Sequence, residues 1–154
     1  MTEEYKTLSI GDKAPEFTGV DQDNNPISLN QYKGKKVVLY FYPKDNTPGC
    51  TAEACDLRDN YERFIAEGYA VIGVSADSVA SHKKFAEKQN LPFPLIADTD
   101  RNILLAYNAY GEKKLYGKVS MGILRKTYII NEDGIITDII EKVKTKEHTK
   151  QILG

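Results

Sequence analysis

The sequence predicts an α/β fold with a central mixed β-sheet and helices on both faces, and two patterns carry that prediction. Between positions 35 and 75 a β-branched and aromatic run, an amphipathic stretch of helix length and a second apolar run follow one another. Strand, helix, strand in that order forms a parallel pair joined by a crossover helix, normally right-handed. Further on, two strand-like runs flank Asp133-Gly134, the signal of an antiparallel hairpin. Parallel and antiparallel pairs interleaved with helices give a mixed sheet covered on both sides.

KKVVLYFYP (35–43) reads as a buried strand stopped by Pro43. Alternation sends Phe41 into the core and Tyr40 and Tyr42 to the other face, where Tyr42 is placed to border a pocket. Ala54, Leu57, Tyr61, Phe64 and Ile65 then recur at helical spacing while Asp56, Arg58, Asp59, Glu62 and Arg63 fill the other face. Thr47 is a good N-cap, Pro48 suits the first helical position, and Gly68 marks the end, so one helix is expected between them. YAVIGVS (69–75) is the second strand. SVASHKKFAEKQN (78–90) is a helix with Val79, Phe85 and Ala86 inward; His82 lies near that inner edge and is read as structural. LPFPLIAD (91–98) is a short strand between prolines, and Arg101 to Ala109 a short helix. TYIINEDGIITDIIEKV (127–143) is the hairpin, and KTKEHTKQIL suits a terminal helix. Its basic stretch from Lys142 to Lys150 is interleaved with Glu147 and reads as a solvated face.

A length of 154 residues allows one domain, 1–154, with a sizeable core. The 21 basic and 22 acidic residues nearly cancel, which gives no phosphate-neutralising excess for nucleic acid. The longest strongly apolar run, Val37 to Tyr42, is far short of the roughly 20 residues a membrane helix needs. The start MTEEYKTLSIGD has no apolar signal segment, so a cytoplasmic location is expected.

Cys50 and Cys55 are the 2 cysteines of the chain. With His82 and His148 as the only histidines they cannot assemble the four ligands of a structural zinc site at any usual spacing. In a reducing compartment a persistent structural disulfide is disfavoured, which leaves catalysis, redox sensing or inert packing. Cys50 falls in the first turn of the expected helix, where unpaired N–H groups and the helix dipole stabilise a thiolate, the nucleophilic form. Gly49 leaves an approach open, and Thr47 brings a hydroxyl to it. Cys55 follows five residues later, which on a helix is about 500° of rotation and a rise of about 7.5 Å, so the two side chains diverge. A disulfide between them would require the first turns to unwind. Such a pair suits a cycle in which one thiol reacts first and the other arrives later. Glu53, in the same early turns, is read first as offsetting the helix dipole and second as helping to orient the site.

These residues resemble a known family. Pro43-Lys44-Asp45-Asn46-Thr47-Pro48-Gly49-Cys50 is similar to the Pro-x-x-x-Thr-x-x-Cys motif of the peroxiredoxins, thiol peroxidases on a thioredoxin-like fold. The continuation Thr51-Ala52-Glu53-Ala54-Cys55 resembles the Q-type subgroup, the bacterioferritin comigratory proteins, in which a second cysteine stands five residues after the first. Gly11-Asp12-Lys13-Ala14-Pro15, VIGVSAD, SHKKFAEKQNLPFPL and Arg125-Lys126-Thr127-Tyr128 extend the resemblance over nearly the whole chain. Tyr128 stands where the family often has phenylalanine, and Asn131 where it often has aspartate.

The resemblance implies that Cys50 is the peroxidatic cysteine and Cys55 the resolving one, with Thr47 and Arg125 completing the site and Pro43 shielding the sulfur. Hydrogen peroxide and small organic hydroperoxides are the implied substrates, and thioredoxin or a glutaredoxin the implied reductant. No metal, haem or flavin is called for, and a monomer or at most a weak dimer is implied. A thioredoxin-like disulfide reductase would want a C-x-x-C pair, which the sequence lacks. A redox-sensing module would keep a reactive Cys50 but turn over peroxide poorly.

Overall fold

A computed structural model describes residues 6–154. Two short strands, β1 (Thr18–Val20) and β2 (Pro26–Ser28), pair antiparallel ahead of the main sheet. That sheet is centred on β3 (Lys36–Phe41), which pairs parallel with β4 (Tyr69–Ser75). Next to β4 lies β5 (Leu95–Ala97), also parallel. On the other side of β3 lies β8 (Lys126–Ile130), antiparallel, and beyond it β9 (Ile136–Ile140). The mixed sheet covered on both faces is therefore present as expected.

The apolar run of β3 is continuous because both its faces are buried. Val37, Leu39 and Phe41 enter one core cluster, Val38, Tyr40 and Tyr42 the other, as a period of two requires. The second cluster is closed by α1 (Pro48–Asp59), α2 (Tyr61–Ala66) and α3 (Val79–Gln89), through Ala54, Leu57, Phe64 and Phe85. The first is closed by α4 (Asn102–Ala106), through Ile103 and Leu104, with Phe17 and Ile27. Gly73 on β4 lies under the Tyr40 ring, where a Cβ would meet Cζ at 2.8 Å.

Three expectations are corrected and one hairpin is added. The single helix after Thr47 is two, broken at Asn60, whose side-chain amide donates to the Asp56 carbonyl at 2.8 Å and so competes with the helix for that acceptor. Beyond the break Phe64 stays buried, but Ile65 turns outward and is 52% exposed. Arg101 to Ala109 yields only α4, because Arg101 and Asn108 both adopt left-handed backbone, at φ 65° and 57°. The terminal helix α5 (His148–Leu153) starts later than position 144, and His148 and Thr149 are buried, so the stretch from Lys142 to Lys150 is not simply a solvated face. The hairpin β6 (Tyr110–Leu115) and β7 (Lys118–Ile123) was not expected. Val119, Met121 and Ile123 do alternate along β7, but Val119 and Met121 are exposed and β6 is mostly polar, so the pattern reports little burial; a further cue is the turn at Tyr116-Gly117, both left-handed.

Candidate active site

Cys50 is the third residue of α1, after Pro48 and Gly49. Thr47 is the extended N-cap residue, at φ −96° and ψ 155°, and its carbonyl accepts from the Thr51 N–H at 2.8 Å. Its hydroxyl does not cap the helix. It donates instead to the Lys44 carbonyl at 2.9 Å, which leaves the oxygen free to accept a hydrogen bond. No acidic residue lies in the first turn of α1, so the positive end of the helix dipole is left for the sulfur.

The loop before α1 is pinned to the sheet and to α3 through Asp45. That carboxylate accepts from the Tyr42 hydroxyl at 2.6 Å and the Ser81 hydroxyl at 2.8 Å, and His82 Nδ1 lies 2.7 Å from it. The Asp45 N–H donates to Asp77 at 2.9 Å, and His82 Nε2 donates to the Ile96 carbonyl at 2.9 Å. His82 is thus structural, as read, and Tyr42 is buried within this network. Asp45, Asp77 and His82 are the one group of described residues whose ligand atoms converge closely enough for a metal ion, and those atoms are engaged in this network.

Arg125, just ahead of β8, faces Cys50. Its Nη2 donates to the Cys50 sulfur at 3.3 Å and its Nη1 to Glu53 Oε1 at 2.6 Å. Cys50 is 2% exposed and Glu53 fully buried, whereas the Arg125 side chain keeps 23% of its surface open. Gly49 leaves room for this approach, since a Cβ there would lie in tight contact, 3.3 Å from Nη2. An open cavity of about 430 Å³ reaches this arginine, lined by Pro43, Lys113, Leu124, Lys126 and Glu141 as well. Arg125 and Cys50 therefore meet at the start of α1, where Thr47 is the N-cap residue, and Pro43 shares the cavity with Arg125.

Of the two readings of Glu53, the helix dipole and orientation of the site, the geometry favours the second. The residue lies beyond the first turn, one helical turn after Cys50 on the same face, and its work is to hold Arg125. That i+3 spacing is the cue the sequence offered. Burial pushes its carboxyl up to about 7 against the opposing pull of Arg125. Behind it stands His148 of α5, with Nε2 at 3.5 Å from Glu53 Oε2 and 2.7 Å from the Thr127 hydroxyl. Burial lowers the His148 titration below its ordinary value. Sequence reading had no signal for this histidine, which comes from the far end of the chain.

Cys55 points elsewhere. Its thiol donates to Gln89 Oε1 of α3 at 3.4 Å, and both cysteines are free. Among the described residues no helix is long and apolar enough to cross a membrane.

Residues 10–139 match the AhpC/TSA family. Peroxiredoxin Bcp of Bacillus subtilis is 46% identical over 147 residues, 96% of this chain and 94% of that protein. Peroxiredoxin Bcp of Escherichia coli K12 is 40% identical over the same shares. Among solved structures, Xanthomonas campestris peroxiredoxin Q superposes with a TM-score of 0.84 at 36% identity, covering 89% of this chain and 87% of that one. Xylella fastidiosa PrxQ superposes with a TM-score of 0.89 at 33% identity, covering 96% and 94%.

Proposed function

Because the chain belongs to the AhpC/TSA family, and within it to the Bcp and peroxiredoxin Q group of thiol peroxidases, we propose that Cys50 is its peroxidatic cysteine and Cys55 its resolving one. The observation that carries this reading is the Arg125 guanidinium, which donates to the Cys50 sulfur with one arm while Glu53 holds the other.

The Cys50 thiolate attacks one peroxide oxygen in line, the O–O bond breaks, and Cys50 becomes a sulfenic acid while the departing oxygen leaves as water or an alcohol. Negative charge grows on that oxygen, and donors already in place stabilise it. Arg125 supplies the donors, and its planar fork allows it to serve sulfur and oxygen together where a lysine could not. The Thr47 oxygen accepts the O–H of the incoming peroxide and so orients it. Pro43 screens the sulfur from the side of the open cavity. The Cys55 thiol then attacks the sulfenic sulfur, water leaves, and a Cys50–Cys55 disulfide forms.

An external dithiol returns both residues to thiols. Thioredoxin or a glutaredoxin in the cytoplasm fits that part, and the chain acts as one domain. Hydrogen peroxide and small organic hydroperoxides fit an open, partly apolar mouth; for the Xanthomonas campestris bacterioferritin comigratory protein, alkyl peroxide reduction is on record.

A coupled assay following reductant consumption on addition of peroxide tests the reading. Cys50→Ser should abolish turnover, because a serine hydroxyl is almost wholly protonated at neutral pH. Cys55→Ser should complete one oxidation and stop at a sulfenic acid on Cys50 that a dimedone probe captures. Sustained turnover by Cys50→Ser with thioredoxin would overturn the assignment.

A further inference from the structure

Helix α1 is held in a second place, away from Arg125. Besides the Cys55 thiol donating to Gln89 Oε1 at 3.4 Å, the Arg58 guanidinium donates to the Gln89 backbone carbonyl at 2.7 Å. Gln89 is the last residue of α3, which Asn90 closes in left-handed conformation at φ 53°. The final carbonyls of a helix have no partner within it, and Arg58 provides one. One residue of α3 thus grips α1 at two positions about a turn apart, on a side other than the one that faces Arg125.

Resting on the reading of Cys55 as the resolving thiol, we propose that Gln89 is a positioning residue whose side-chain oxygen tethers Cys55 to α3 and so governs how fast the disulfide forms. While that hydrogen bond stands, the thiol is a donor to Gln89 and is turned away from Cys50. Helical i and i+5 positions already diverge, so α1 must unwind before sulfur meets sulfur. The tether exists only in the wound state. It therefore shifts the balance between wound and unwound α1 toward the wound form.

Two reactions then compete for the sulfenic acid. In one, the Cys55 thiol displaces water and the disulfide forms. In the other, the sulfenic sulfur attacks a second peroxide, which is reduced to water or an alcohol, and Cys50 ends as a sulfinic acid outside the cycle. A tether that slows the first reaction lowers the peroxide concentration at which the second takes over.

Gln89→Met keeps the length and helix preference of the side chain but removes the amide acceptor; Gln89→Glu keeps an acceptor oxygen. The full-length protein is reacted with one equivalent of hydrogen peroxide, quenched at intervals and analysed by mass spectrometry. In parallel, reduced protein is treated with iodoacetamide and Cys55 labelling is read on its peptide. Gln89→Met should form the disulfide and label at Cys55 about three- to tenfold faster than wild type, the weight of one hydrogen bond. It should also need more peroxide to reach the sulfinic acid, while Gln89→Glu stays at or below the wild-type rates. Rates for Gln89→Met within twofold of wild type in both measurements overturn the proposal, and so does Gln89→Glu behaving like Gln89→Met. A wild-type protein that forms no Cys50–Cys55 bond would instead overturn the role of Cys55 itself. Labelling distinguishes the two failures, because it reads the tether without any peroxide.

Discussion

Arg125 donates a hydrogen bond to the sulfur of Cys50 at 3.3 Å, across a separation of 75 residues. The contact joins the entry of a sheet strand to the first turn of a helix, and on the proposed function the chemistry of the site depends on its geometry. Arg125→Lys keeps the charge and loses the planar fork. Removing a preorganised donor to developing charge costs about 10²–10³ in rate. A fall of that size is expected in the second-order rate of Cys50 oxidation, measured under single-turnover conditions, with circular dichroism unchanged. A rate within about a factor of two of wild type would remove Arg125 from the transition state.

Gly49 offers an independent test of the same contact. Gly49→Ala puts a Cβ 3.3 Å from Arg125 Nη2, a tight contact that presses the guanidinium by a few tenths of an ångström relative to the sulfur. Small displacements at a reacting centre are costly in rate, and a loss of about tenfold or more is expected. Alanine also favours helix over glycine by about 1 kcal/mol. Denaturant unfolding should therefore show equal or greater stability beside the slower oxidation, and unchanged kinetics would sink the idea.

Glu53 should make stability depend on pH. Its carboxyl is raised from 4.5 to about 7, with burial as the main cause, so the folded protein binds a proton between those values that the unfolded chain has released. The contribution is fully present below pH 4.5 and is lost as pH rises through about 7, for a total on the order of 3 kcal/mol. His148 is lowered by burial and acts in the opposite direction, its contribution being present above pH 6.5 and lost as pH falls. The two partly cancel in the native protein. Glu53→Gln, which mimics the neutral carboxyl, isolates the first: the wild type's stability relative to the variant should decline from pH 4.5 to pH 7 in urea titrations. A flat difference over that range would show that Glu53 is not the proton-binding group.

Oxidation should loosen α1. A Cys50–Cys55 bond is incompatible with a continuous helix, and breaking two turns gives up several hydrogen bonds of roughly 1 kcal/mol each, which the condensation chemistry exceeds. The contacts of α1 with α5 should loosen too, since the Thr149 N–H donates to Asp56 at 2.7 Å and His148 stands against Glu53. Amide exchange comparing reduced and oxidised protein should rise from Thr47 to Arg58 and at the start of α5, with β3 and β4 little changed. Equal protection of both forms, with the disulfide confirmed by mass spectrometry, would contradict the proposed unwinding.

The hairpin β6–β7 and the break at Asn60 mark where sequence patterns lose force. Patterns report apolar burial, and the hairpin has little; the break depends on one side-chain amide reaching one carbonyl, which spacing does not encode. The run at 35–43, the hairpin at 127–143 and the placement of Cys50 in a first helical turn were all legible, because each follows from local rules of alternation, turn chemistry and capping. The resemblance to a known family added Arg125, which no local rule could connect to Cys50.

What the sequence determined by itself was the strand and helix order, the mixed sheet, and two thiols whose helical spacing keeps them apart, since all of these depend on neighbours along the chain. Only the tertiary structure decided that Glu53 is a buried partner of Arg125, that His148 from the terminal helix stands behind it, and that Gln89 holds Cys55. These are contacts between segments distant in sequence. Their energies come from burial and from the relative placement of helices on a sheet, which is fixed when the two cores close and is written in no local pattern.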